Sequence, residues 1–328
     1  MRLHRLFASA AVIALCIAAP ASAQEKKPRP EGGYNVGFVT ASVGLTFYQA
    51  MKCSAEATAK DHGINLIWQG SQSISPRDEL QVLQAVASQS PDGILLVPWD
   101  STAFIAPTKE LMDAGTPVIT VDGSLTEPVD IQNIRTSNLE AGKQAAHDLA
   151  NMIGKKGAVL ILTASPGNAV QNERWAGFKE VLDKDYPEVR LLDVQYIESN
   201  ASKAASVTAS VLTANPDLAA IYATQDAGAE GAANALRAAG KRGEVKVVGY
   251  DATERQVELL KAGDLDALVA QSPRQLGKIM VESMLKVLEQ GRAEANLPYQ
   301  VFTPVKFLTR ENVDDADSKG YIYSPDCE

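Results

Sequence analysis

One alternation of apolar runs and helical spacings occurs twice along this chain, and it leaves few folds open. In the first half, apolar runs at 35–40, 65–69, 93–98 and 117–121 alternate with helical spacings at about 46–62, 76–90 and 102–114. In the second half, runs at 157–163, 189–196, 218–223 and 245–250 alternate with helical stretches at about 171–185, 201–214 and 227–240. A strand–helix–strand unit of about thirty residues implies parallel strands, because parallel neighbours need a crossover of that length. Runs that are apolar throughout fit strands covered on both faces. The expected fold is therefore α/β, with two similar doubly wound parallel-sheet lobes. At 328 residues the chain is long enough for two such lobes.

Three stretches are placed to join them. The segment 125–138 is polar and extended and leads into a helix ending near Gly154. The run 268–271 is followed by Ser272-Pro273 and an amphipathic helix over about 274–290. A last apolar stretch, 299–308, passes through Thr303-Pro304. This gives a three-strand hinge between an N-terminal lobe (34–136 plus 271–302) and a C-terminal lobe with its tail (137–270 plus 303–328). A hinge of this kind bends without twisting freely, which suits closure around a ligand.

The first 23 residues read as a secretory signal peptide. Arg2, His4 and Arg5 form the positive end, 6–19 the apolar run, and Ala21-Ser22-Ala23 the cleavage site. The apolar run is too short to span a bilayer. Leu15 before Cys16 does not fit a lipoprotein site. A polar, Pro/Gly-rich leader follows at 24–33. Export to a periplasm, with cleavage after Ala23, is the expectation. In that oxidising setting Cys53 and Cys327 read as a disulfide, tying the tail to the first helix. The alternative is one buried thiol and one exposed one.

The net charge of −9 argues against a nucleic-acid partner, which needs a clustered basic surface. No Cys/His cluster has zinc spacing. His62 and His147 lie far apart on different helices, and the acidic stretch 312–317 lacks the glycine and closing glutamate of a calcium loop. No metal and no cofactor are expected.

In doubly wound sheets, ligands sit beyond the carboxyl ends of the strands. There each half presents two aspartates. Asp100 and Asp122 close runs in the first half; Asp226 and Asp251 do so in the second. Phe47 and Tyr48 stand at a helix start near the first strand end. Asp is also a preferred helix cap, and Phe47 and Tyr48 could be ordinary core residues. Asp100 and Asp226 read as caps or hinge-facing groups.

Several segments in fixed order carry a resemblance. They are Phe38-Val39-Thr40 with Phe47-Tyr48, residues 117–122 ending in Asp122, and Asn172-Glu173-Arg174-Trp175-Ala176-Gly177-Phe178. Further on come Ala223-Thr224-Gln225-Asp226, Val248-Gly249-Tyr250-Asp251 and Ala270-Gln271-Ser272-Pro273. From about Asn35 to Leu308 the chain resembles the periplasmic sugar-binding proteins of the ribose-binding type, the ligand receptors of ABC importers with the type I periplasmic binding fold. That resemblance implies a ligand site. Phe47 and Tyr48 would cover a sugar ring, and Asp122 and Asp251 would accept from its hydroxyls. Asn172, Gln225 and Gln271 would give mixed donors and acceptors, and Trp99, Trp175 and Tyr250 further walls. Such a set suits a neutral polyhydroxy ligand, since each buried hydroxyl must be satisfied. Gly123 and Asn172 stand where ribose binders place arginines, which points away from ribose itself and toward another small neutral sugar or polyol. Arg174 reads as a structural salt-bridge residue rather than a ligand contact.

The expected function is capture of that ligand by lobe closure, as a monomer, and delivery to a membrane permease. A chemoreceptor or sensor co-receptor role is compatible with it. The rival is a secreted sugar-acting enzyme on a similar fold. Against a dehydrogenase, no Gly-x-Gly-x-x-Gly follows the first strand. Against a hydrolase, only the aspartate pair hints at such chemistry. A sugar-responsive repressor would need a basic helix-turn-helix where the export signal stands.

Overall fold

A computed structural model describes residues 28–327. The proposed signal peptide with its cleavage site, Cys16, and the first part of the 24–33 leader lie outside the described residues.

In chain order the first half comprises β1 (Tyr34–Thr40), α1 (Thr46–Asp61), β2 (Ile64–Gly70), α2 (Pro76–Ala87), β3 (Gly93–Leu96), α3 (Ile105–Asp113), β4 (Val118–Val121) and β5 (Gln132–Thr136). It continues with α4 (Asn138–Met152), β6 (Gly157–Thr163), α5 (Ala169–Asp185), β7 (Val189–Leu191), β8 (Gln195–Tyr196), α6 (Ala201–Ala214), β9 (Leu218–Ala223) and α7 (Asp226–Ala238). The remainder is β10 (Lys246–Tyr250), α8 (Glu254–Ala262), β11 (Ala267–Ala270), α9 (Pro273–Gln290), α10 (Arg292–Ala295), β12 (Gln300–Thr303) and β13 (Lys306–Leu308).

The strands form two sheets. The first has the order β12-β5-β4-β3-β1-β2 and is parallel throughout. The second runs β13-β11-β10-β9-β6-β7, with β8 also on β6, and only its edge strand β13 is antiparallel. Buried apolar clusters cover both faces of each sheet. Met51 of α1 and Met280 of α9 belong to one face of the first, and Leu83 of α2 to the other. In the second, Phe178 of α5 lies on one face and Leu236 of α7 on the other.

The chain passes between the sheets three times, at 137, at 271–272 and at 304–305, because β5 and β12 pair in the first sheet whereas β11 and β13 pair in the second. The tail beyond β13 packs on the second lobe through Val313 and Tyr323. It then reaches α1, where Cys327 is disulfide-bonded to Cys53 across a sequence separation of 274.

Some boundaries differ from the sequence reading for local reasons. The run 189–196 is two short strands split around Asp193, a residue type depleted in strands. The third helix starts at Ile105 rather than 102, because the Asp100 carboxylate takes the backbone N–H groups of Thr102 and Ala103 at 2.9 Å each and holds a turn there. Asn168 caps α5 by accepting from the Gln171 N–H at 2.9 Å, so that helix begins at Ala169 rather than 171.

Candidate functional site

The strand ends of the two sheets face each other across a cavity of about 620 Å³, counted to its open mouth. Its walls come from the loops after β1, β3 and β4 on one side, and after β6, β9, β10 and β11 on the other.

Asp122 and Asp251 are both on the wall. Each directly follows a parallel strand, and each has left-handed backbone, φ 60° and 76°. Few residue types other than Gly, Asn and Asp accept that region, so the conformation selects for aspartate as well as aiming it. Asp122 is 7% exposed; its Oδ2 accepts from the Tyr48 hydroxyl at 3.3 Å, and its Oδ1 has no hydrogen bond to any described residue. Burial pushes the Asp122 carboxyl up to about 6, against the pull of Arg174 and with the push of Asp251. Burial, reinforced by Asp122, holds the Tyr48 phenol far above its ordinary range, so it is a donor.

Gln225, on the opposite lobe, accepts at its Oε1 from Gln171 and from Ser199, both at 3.0 Å. Its Nε2 is buried and has no hydrogen bond to any described residue. Asp226 beside it also lines the cavity, and burial, then the Asp251 charge, raise its carboxyl to about 7. Gln271 donates from Nε2 to Asp251 Oδ1 at 2.7 Å and accepts at Oε1 from the Thr136 hydroxyl at 2.7 Å. It therefore links the second lobe's acid to the end of β5 in the first lobe. Phe47 and Trp99 supply apolar wall.

Three positions expected on the wall are not there. Asn172 is half-buried off the cavity; it donates to the Pro166 carbonyl at 2.6 Å and accepts from Trp175 Nε1 at 3.1 Å. Both residues sit one step round α5 from the cavity. The face turned inward carries Asn168, Gln171 and Arg174, spaced three apart on one side of the helix. Tyr250 is fully buried beneath that face. Its ring lies 3.6 Å from the Arg174 guanidinium and its hydroxyl donates to Asn138 Oδ1 at 3.1 Å.

Arg174 itself is on the wall, contrary to the salt-bridge reading. Its Nε donates to Asn138 Oδ1 at 2.9 Å and its Nη1 to the Thr224 carbonyl at 2.8 Å. Burial works against its charge, but Tyr250, Asp251 and Asp122 outweigh it and raise the pKa above the ordinary value. The neighbouring Glu173 carries an ion pair instead: it holds Arg135 of the first lobe with both oxygens, at 2.6 and 2.7 Å. The helices α4 and α5 pack closely: a Cβ on Gly142 would fall 2.0 Å from the Arg174 carbonyl oxygen.

Gly123 is on the wall too, and a Cβ there would lie 2.2 Å from the Pro98 carbonyl oxygen. No side chain fits at that position in this arrangement. Asp100 is the turn cap described above. Among the described residues no group of His, Cys, Asp and Glu could hold a metal ion. His147 is paired with the Tyr186 hydroxyl at 2.9 Å, away from the cavity.

Acceptors dominate this wall. Asp122, Asp226 and Asp251 would repel an anion, whereas hydroxyl donors satisfy them with charge-assisted hydrogen bonds. Arg174 and Gln225 supply donors among them. The arrangement can hold a compact polyhydroxy molecule with an apolar face toward Phe47 and Trp99.

Comparison with known proteins gives the family. A family model described as periplasmic binding protein domain matches residues 36–293. The chain is 30% identical over 306 residues to the ribose import binding protein of Escherichia coli (strain K12), covering 93% of this chain and 100% of that protein. A solved ABC transporter solute-binding protein from Agrobacterium vitis, bound with α-D-tagatopyranose, is 32% identical with a TM-score of 0.84; the match covers 89% of this chain and 99% of that one. One from Actinobacillus succinogenes 130z with bound D-allose is 28% identical with a TM-score of 0.79, covering 88% and 100%.

Proposed function

The chain belongs to the periplasmic binding protein family, and from that membership together with the cavity we infer that it is the solute-binding subunit of an ABC sugar importer. Its relatives are binding proteins rather than enzymes, and the periplasm is where such proteins work. The ligand is a small neutral monosaccharide or polyol, held by Asp122, Phe47, Tyr48 and Trp99 of the N-terminal lobe and by Arg174, Gln225, Asp251 and Gln271 of the other lobe and the neck. The lobes, 34–136 plus 271–302 and 137–270 plus 303–328, close on it about the three crossings. The closed monomer, freed of residues 1–23, then docks on a membrane permease.

One observation carries this reading. Asp122 Oδ1 and Gln225 Nε2 are buried, belong to opposite lobes, line the same cavity, and have no hydrogen bond to any described residue. Buried polar atoms of native proteins are almost always paired. An acceptor on one lobe and a donor on the other are what a hydroxyl-bearing ligand between them would satisfy. Contact with both lobes is also what lets a ligand shift the population toward closure. Micromolar capture needs about −8 kcal/mol, within reach of a handful of satisfied hydrogen bonds and a buried ring face once ordering costs are subtracted.

The Agrobacterium vitis protein with bound tagatose makes D-tagatose the first probe. The missing arginine after Asp122 places D-ribose behind it. A thermal-shift screen of the mature protein against D-tagatose, D-allose, D-ribose, D-fructose and D-arabinose tests the reading, because a ligand that binds only the native state raises the melting temperature. A rise with at least one is expected; no rise with any, in either sugars or polyols, contradicts it.

A further inference from the structure

We propose that Tyr323 is a positioning residue of the binding site, carried there by a C-terminal strap that the Cys53–Cys327 disulfide anchors, and that it orients Asp251 for a ligand hydroxyl. The proposal rests on the sugar-site reading above and adds to it a residue from outside the two sheets.

Tyr323 lies in the tail, yet it is fully buried and lines the cavity. Its hydroxyl donates to Asp251 Oδ1 at 3.3 Å and accepts from the Gln271 backbone N–H at 2.9 Å. Gln271 Nε2 donates to the same Oδ1 at 2.7 Å. Two donors therefore occupy one oxygen of Asp251, and Oδ2 has no hydrogen bond to any described residue. A carboxylate pinned at one oxygen presents the other in a fixed direction, which is how a supporting shell pre-organises a binding group.

Tyr323 is itself held from both lobes. Its backbone N–H donates to the Ala252 carbonyl at 2.9 Å and it forms a bridge with Thr253, just past Asp251 on the second lobe. Its ring meets Phe47 of the first lobe edge-on, with centroids 5.5 Å apart. Shortly beyond, Arg274 Nη2 donates to the Asp326 carbonyl at 3.1 Å and Cys327 is bonded to Cys53 on α1. The strap is rooted on one lobe and covalently fixed to the other, with Tyr323 where it crosses between them. Without the disulfide, nothing covalent beyond β13 ties the tail to the first lobe.

Calorimetric titration of the mature protein with D-tagatose, D-allose and D-ribose tests this with four proteins: wild type, Tyr323→Phe, Asp251→Asn, and the double variant. Tyr323→Phe removes one oxygen and keeps the ring against Phe47. It should weaken binding about 5- to 20-fold by loosening the Asp251 carboxylate, a loss of pre-organisation rather than of a ligand bond. Asp251→Asn should weaken it about 10-fold or more. In the Asp251→Asn background, Tyr323→Phe should change affinity less than about 2-fold, because residues acting through one group are not additive. Wild-type affinity in Tyr323→Phe, or a loss that simply adds to that of Asp251→Asn, overturns the proposal. Wild-type affinity in Asp251→Asn, or no binding of any of the three sugars by wild type, overturns instead the sugar-site reading beneath it. Should Tyr323→Phe not fold, the Cys53→Ser/Cys327→Ser pair carries the test. Releasing the strap should weaken binding and raise the dissociation rate, and unchanged affinity overturns the proposal.

Discussion

Asp122 and Asp251 occupy equivalent places in the two lobes: each is the first residue past a buried parallel strand, each in left-handed backbone, and both line one cavity. The equivalence ends at their partners. Asp122 accepts from Tyr48 alone, whereas Asp251 Oδ1 is held by Gln271 and Tyr323. The first acid is the less tethered and the more buried of the pair.

Burial raises the Asp122 carboxyl from its ordinary 3.8 to about 6. For a carboxyl raised on folding, the native state binds the extra proton. Its contribution to stability is complete below about pH 4 and is lost as pH rises through about 6. Asp122→Asn should therefore stabilise the ligand-free protein at pH 7–8, on the order of 2–3 kcal/mol, and leave it unchanged near pH 4. Asn also tolerates the left-handed backbone. Sugar binding should run the opposite way: a hydroxyl donates best to the ionised acid, so affinity should fall as pH drops through about 6. Melting curves and titrations across pH 4–8 check both signs, and a wild type whose affinity is flat across that range contradicts the assignment.

The Arg135–Glu173 pair joins the end of β5 to α5 on the opposite lobe through two short hydrogen bonds. The pair is partly buried, with side chains 12% and 30% exposed. Glu173→Gln should favour the open form and weaken sugar affinity about 2- to 10-fold, by loss of a charge-assisted bond. Small-angle scattering of the ligand-free variant should show a larger radius of gyration than wild type. An unchanged radius together with unchanged affinity would mean the pair does not report on closure.

Gly123 has the Pro98 carbonyl where a side chain would begin. Gly123→Ala should cost about 1–3 kcal/mol by overpacking and displace either the Pro98 loop or Asp122. The melting temperature and the sugar affinity should both fall. A variant that binds and melts as wild type would show that the loop yields freely.

Cys53–Cys327 closes nearly the whole described chain into one loop. Replacing both with serine should lower stability by about 2–5 kcal/mol, the usual range for a native bridge. Denaturant unfolding of the wild type with and without reductant gives the same comparison without mutation. Equal midpoints would contradict it.

Much of the architecture was legible because parallel βαβ units leave a strong pattern: a wholly apolar run, an amphipathic stretch, and a polar residue where the strand ends. That last residue marks the ligand side and picks out Asp122 and Asp251, whereas Gln225 and Gln271 come only from the resemblance; all four line the cavity. On α5 no strand-end pattern applies. The resemblance implies Asn172 and Trp175 as wall residues, where the structure has Asn168, Gln171 and Arg174. The Asn168 cap, three residues before Gln171, was the available signal. Tyr250, expected as a wall, lies fully buried beneath Arg174 instead. Tyr323 had no local signature, since its position depends on a tail folding back over the whole chain. The pairing of Cys53 with Cys327 was the one hint that the tail comes near α1.

The most direct measurement is calorimetric titration of the mature protein with D-tagatose, D-allose and D-ribose, repeated on Asp122→Ala and Asp251→Ala. The expected result is one site per chain, micromolar or tighter for at least one of these sugars, and binding reduced at least about 30-fold by each substitution alone. Wild-type affinity retained in both variants would contradict a ligand held between the two strand-end acids.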